Sequence, residues 1–213
     1  MTWKLFYVLI QAAGLTVAIS AISIAIGLAI GTVVCAASLS NNRAARIAGG
    51  LYVSFFRGAP LLIQLLLLYN LLPVIGLEVP DTVTAIAGLS LCTAAYQAEN
   101  LRGGFSGVSP GLIEAADMAG LSPLQTFLRI KLPIAIKLTL PAIVNEAILI
   151  LKASSLVSLV GIVELTETAK NFAASNYRPL EDYAAAGLLY LVLCRLIGGG
   201  GALLERSMRW GRA

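Results

Sequence analysis

Asn145, Lys152 and Ser155 stand at separations of seven and three residues inside a long apolar run, a spacing that stacks them near one face of a helix. Side chains of these types can receive a zwitterion. Lys152 with the hydroxyls of Ser154 and Ser155 suits a carboxylate, while the Asn145 carbonyl or Glu146 suits an ammonium group. The same lysine would equally be satisfied by an ion pair with Glu99 or Glu146, so the residues alone leave a ligand role and a structural pair open. Glu99 and Arg102, three residues apart, can pair on one helix face or form a gate contact. Arg57 precedes Gly58-Ala59-Pro60, whose proline suits a first helical turn, and reads as an interface anchor or part of an inner gate.

Composition says which elements must position these groups. Of 213 residues, 58% are hydrophobic and 12% charged, with a mean hydropathy of +0.87; soluble domains carry roughly 25% charged residues. The chain is therefore read as an integral membrane protein with no separate soluble domain. It has no histidine, which removes the commonest general base and metal ligand. Cys35, Cys92 and Cys194 are scattered in apolar runs without C-x-x-C spacing, so no disulfide framework and no metal site is expected. G-x-S-x-G, P-loop and H-E-x-x-H patterns are absent, and no catalytic residues are assigned. The net charge of +4 reads as a topological bias, not a nucleic-acid footprint.

Apolar runs near residues 9–39, 52–75, 81–98, 134–163 and 183–204 predict an all-α, polytopic chain of about five spans in one domain, because only helices satisfy a single chain segment's backbone in lipid. The first run is too long for a signal peptide and is read as retained. Trp3, Lys4 and Tyr7 sit where an interfacial belt belongs, and Gly27 to Gly31 forms a G-x-x-x-G step, a weak dimerisation signal. The connections alternate in charge. Arg43 and Arg46 follow the first span, the turn near 73–81 carries Glu78 and Asp81 without a cation, and the long loop from about 99 to 133 carries Arg102, Arg129 and Lys131. Glu164, Glu167, Glu181 and Asp182 mark the next connection, and Arg206, Arg209 and Arg212 the tail. The positive-inside rule then places the N-terminus outside, and the 99–133 loop and the C-terminus in the cytoplasm. Arg195 in the last run reads as snorkelling toward the cytoplasmic headgroups. The Gly198 to Gly201 run suggests close packing or a kink.

The long loop predicts two short helices. Ser109-Pro110 and Ser122-Pro123 each supply an N-cap and a first-turn proline, Gln125 completes a capping box, and Gly120 separates the two. Ala115, Ala116 and Ala119 keep the first helix slim enough for another protein's groove, with Leu121 and Phe127 as candidate anchors. A solvated hairpin would show the same capping signals.

Glu114-Ala-Ala, Gly120 and Ile130-Lys-Leu-Pro133 match, in spacing as well as type, the EAA loop that marks permease subunits of bacterial ABC importers. FFRGAPLLIQ at 55–64, AAYQAENLRGG at 94–104 and LKASSLVSLVGIVELT at 151–166 resemble the polar amino acid family serving histidine, glutamine, arginine and opine uptake. The family usually has an acid where Ser54 stands, threonine at Ala59, and Asp-Thr at Ala153-Ser154. The resemblance implies a type I importer permease fold in the bacterial inner membrane. It also implies a second permease subunit, identical or paralogous, an ATPase dimer that binds ATP and magnesium, and an extracytoplasmic substrate-binding protein. No cofactor on this chain is implied. Glu114, Ala115, Ala116, Gly120 and Leu121 would form the ATPase contact. A secondary transporter or channel driven by an ion gradient is the alternative, disfavoured by few acids within the spans and no visible inverted repeat.

Overall fold

The computed structural model describes residues 3–208. The side chains of Trp3 and Lys4, and residues Arg209 and Arg212, lie outside the described set. Helices joined by short connections make up the described residues, with no strand among them. α1 (Trp3–Ser38) is one helix of 36 residues, about 54 Å long at 1.5 Å per residue, longer than a hydrocarbon core of roughly 30 Å. α2 (Arg43–Gly58) starts where Asn42 Oδ1 accepts the Ala44 N–H at 2.9 Å.

The span expected at 52–75 is two helices. α2 and α3 (Leu61–Val74) meet at 104°. Pro60 forces the residue before it out of the α region, and Ala59 is extended at φ −92°, ψ 140°. The bend leaves carbonyls unpaired at depth, and Gln64 Nε2 satisfies two of them, donating to Phe56 O at 2.9 Å and Ala59 O at 2.8 Å. Arg57 therefore ends α2 and does not open a span, and its charge suits the negative end of the helix dipole.

α4 (Asp81–Ser106) runs eight residues past the expected 98 and is the centre of the bundle. Its buried face is small and polar, with Ser90, Thr93, Ala94, Gln97 and Ala98 among the enclosed residues. α1 lies against it at glycines. A Cβ at Gly31 would stand 2.8 Å from Ala94 O and 2.9 Å from Gln97 Cβ, and one at Gly27 would fall on Thr93 Cγ2. The Gly27–Gly31 step thus packs within the chain instead of presenting a dimerisation face.

After α5 (Pro110–Met118) and α6 (Pro123–Thr126), a π-helical turn at Phe127–Lys131 leads into α7 (Leu132–Ala153). Pro133 has no N–H for the Arg129 carbonyl. The ladder slips, and Leu132 N–H bonds Phe127 O, five residues back. The run expected as one span over 134–163 is α-helical only to Ala153; residues Ser154–Val160 tighten to a 3₁₀ helix that ends at Gly161, φ +88°. The connection expected near 164–182 contains α8 (Leu165–Asn176), and α9 (Pro179–Ser207) crosses α7, with Gly201 seated against the Val144 side chain. That contact explains one glycine of the 198–201 run.

Among the described residues, three segments, Phe6–Ser38, Pro123–Val160 and Pro179–Ser207, are long and apolar enough to cross a membrane, and the α2–α3 pair adds a fourth if taken as one broken span. α4, at 26 residues, has the length but not the apolarity. Protein surrounds much of it, so its side chains are chosen for close packing instead of for lipid.

Gly31→Val should destabilise the protein by about 1–3 kcal/mol, the usual cost of overpacking, seen as a lower melting temperature and membrane yield. Gly14→Val, on the same helix with nothing within 4 Å of its added Cβ, is the control; equal losses from both would refute the packing role.

Candidate functional site

α5 and α6 form a tight, self-contained elbow. Gly120 is left-handed at φ +74°. Its N–H bonds Asp117 O at 3.0 Å while Leu121 N–H reaches back to Ala116 O at 3.1 Å, the paired bonds of a Schellman motif. The reciprocal capping box at the start of α6 is present: Gln125 N–H donates to Ser122 Oγ at 3.3 Å, and Ser122 N–H to Gln125 Oε1 at 2.9 Å. At Ser109 the expected side-chain cap is absent, and Pro110 alone sets the start of α5.

This geometry corrects which side chains face outward. Ala116 is buried, at 3% exposure, and Leu121 is half-buried. Phe127 stacks on Phe105, with ring centroids 5.9 Å apart. Leu121 is thus only partly open to a partner, whereas Phe127, stacked on one side, keeps 40% exposure as a candidate anchor. Glu114, Ala115, Asp117 and Ala119 remain exposed, joined by Met118 at 89% and Leu124 at 66%. Exposed apolar side chains at a loop tip suit a partner's pocket. Met118 sits two residues before the turn glycine and Leu124 just after the Pro of the second cap, and those positions were the available signal.

The predicted α7 residues divide between two environments. Asn145 and Lys152 are exposed on one face of the helix, whereas Glu146 is buried and accepts a hydrogen bond from Thr93 Oγ1 at 3.1 Å. Lys152 makes no ion pair with Glu99 or Glu146 among the described residues. Ser154 Oγ donates to Leu151 O at 2.8 Å and Ser155 Oγ to Lys152 O at 2.7 Å, so neither hydroxyl proton is left for a carboxylate.

Arg57 joins Glu99 and Arg102 in one cluster. Glu99 takes bidentate bonds from Arg102, Nε at 2.8 Å and Nη2 at 2.6 Å. Arg57 Nη1 lies 3.5 Å from Glu99 Oε2, with its guanidinium 5.3 Å from the Tyr96 ring centre. The end of α2 is thereby tied to α4 at the level where the long loop begins.

Glu164 escaped the sequence analysis, where it counted only as a loop charge. It is fully buried and caps α8, accepting from the Thr166 N–H at 2.8 Å and the Glu167 N–H at 3.1 Å. Tyr190 OH donates to Oε2 at 2.8 Å, and Thr16 Oγ1 lies 3.2 Å away. One carboxylate thus joins α1, α8 and α9.

A helical membrane bundle with a rigid, projecting two-helix elbow between its spans defines a permease subunit. The chain belongs to the family described as "binding-protein-dependent transport system inner membrane component", which matches residues 23–210. It is 39% identical over 195 residues to the nopaline transport system permease protein of Agrobacterium fabrum, covering 87% of this chain and 81% of that one. To the arginine transport system permease protein of Bacillus subtilis it is 33% identical over 202 residues, covering 94% and 92%. Among solved structures, a chain of "an amino acid ABC transporter with histidines" superposes with a TM-score of 0.89 at 32% identity, over 96% of this chain and 94% of that chain. A chain of a methionine ABC transporter, at 21% identity and a TM-score of 0.79, shares the fold. The ion-gradient alternative falls with these relatives: the protein is a multi-pass inner-membrane permease subunit of an ABC transporter.

Glu164→Ala should strand Tyr190 OH and two α8 N–H groups, costing about 3 kcal/mol or more. Tyr190→Phe removes one bond and should cost about 1 kcal/mol. Thermal unfolding of the purified variants would show this order; equal losses would contradict a shared anchor.

Proposed function

We propose that this permease subunit moves amino acids or opines inward and takes its driving force from a separate ATPase through the α5–α6 elbow. The observation that carries the reading is the elbow's construction. The Schellman turn at Gly120 and the capping box at Ser122 make it rigid, its apolar tip is exposed, and the π-helical turn joins it to α7. A rigid lever of this kind, seated in a partner's groove, converts closure of an ATPase dimer into movement of α7. ATP and magnesium belong to that partner, and this chain carries no catalytic residue and no cofactor of its own. A second permease subunit completes the path, and an extracytoplasmic binding protein delivers the substrate.

The orientation proposed is N-terminus outside with the elbow cytoplasmic, following the loop charges. Nopaline and arginine, named for two of the relatives, each offer a carboxylate and cationic nitrogen. Lys152, exposed and without an acidic partner among the described residues, is the residue assigned to the carboxylate, and Asn145 on the same face is assigned to the opposite pole.

Gly120→Pro or Glu114→Lys should reduce uptake per ATP hydrolysed by about 5- to 150-fold, the range of typical inter-site coupling energies, with the assembled protein still in the membrane. Normal transport by either variant in proteoliposomes would overturn the lever. Lys152→Ala should abolish uptake while the ATPase still co-purifies, and retained uptake would remove Lys152 from the path.

A further inference from the structure

A cavity of about 780 Å³ opens between α1, α4 and α7, with Ile113 of α5 and Phe127 completing its wall. Its lining is overwhelmingly apolar, and Lys131 is the charged side chain among the described lining residues. It is separate from the residues assigned to transport. Ile136 and Ile143 line it from one face of α7, and Asn145 lies about 200° further round the helix. Lys152 is nine residues beyond Ile143 and about 180° away, on the opposite face. The cavity therefore looks away from the proposed path. A second cation stands at its edge: Arg46 Nη1 donates to Ser40 O at 3.3 Å, one residue from the lining Leu39.

We propose that this cavity binds one anionic phospholipid of the cytoplasmic leaflet, with an acyl chain between α1 and α7 and its phosphate on Lys131, flanked by Arg46. The leaflet assignment rests on the orientation proposed above. An apolar space between spans is filled by what surrounds it, and Lys131 in its wall, with Arg46 bonded beside the lining Leu39, selects a negative headgroup over a neutral one. Such a lipid would touch α1, α4 and the elbow together. Ile113 and Phe127 form part of its wall, and Phe127 stacks on Phe105, another lining residue. Occupancy would thus stiffen the joint between the elbow and the spans.

The test uses the intact complex of permease and ATPase in nanodiscs of mixed phosphatidylglycerol and phosphatidylcholine, with tightly held lipid counted by native mass spectrometry after detergent extraction. Wild type should retain one phospholipid per permease subunit, with about fivefold preference for phosphatidylglycerol. Ala36→Trp and, independently, Thr32→Phe should lose it by filling the cavity, and Lys131→Gln should keep a lipid with a weakened preference. Absence of retained lipid in wild type, equal retention of both lipids, or unchanged retention in both filled variants would overturn the site, as would a partner segment crosslinking to position 36. Lipid retained by a complex whose ATPase is not coupled to transport supports the site and counts against the lever alone.

Discussion

At Gly27 and Gly31 the backbone of α1 lies against α4 with no room for a Cβ, and the rest of the bundle is arranged around that contact. Close approach between helices in lipid is driven by packing, because lipid tails are as apolar as any leucine. α4 can then afford a polar buried face. Thr93 holds Glu146 of α7, Tyr52 OH of α2 reaches Leu91 O at 2.7 Å, and Gly104 accommodates Thr139 of α7. α9 joins one step further out, through Gly201 on Val144. Small residues recur wherever two helices must come close, and the polar groups between them are enclosed by protein instead of facing lipid.

Each break in the helices is matched by a group that satisfies the freed backbone. Gln64 serves the carbonyls left by the Ala59–Pro60 bend, Leu132 N–H takes Phe127 O in the π-helical turn before Pro133, and Glu164 caps α8 after the 3₁₀ segment. Bilayer energetics demand this accounting, since unpaired backbone at membrane depth costs several kcal/mol. The breaks also divide the molecule into stiff rods with defined joints. Two joints flank the elbow's path into the membrane, the Gly120 turn and the π-helical turn, and a third ends α7 at the residues assigned to the substrate.

α7 carries two different surfaces as a result. One face presents Asn145 and Lys152 to the outside of the chain, where a second subunit would close a path. The opposite face turns Ile136 and Ile143 toward α1 and the lipid-sized cavity. The π-helical turn joins the elbow to this same helix, so both faces belong to one rod.

Periodicity and composition were sufficient for an all-helical membrane fold, since in lipid no other unbranched segment satisfies its own backbone. The alternation of loop charge and the spacing from Glu114 to Pro133 were equally legible, because capping and turn chemistry act between residues a few positions apart. The family comparisons agree with the permease resemblance. Other features needed the fold. The burial of Ala116 depends on what the chain folds back against it, and Glu164 looked like a loop charge until α1 and α9 supplied Thr16 and Tyr190 from 148 and 26 residues away. The joining of Arg57 to Glu99 likewise depends on a bend that brings α2 back to α4. The sequence by itself determined the helical character, the capping box at Ser122 and the turn of the elbow at Gly120, all of which are short-range. Which polar side chains are buried, paired or free was decided by tertiary structure, because that depends on neighbours brought together only when the helices pack.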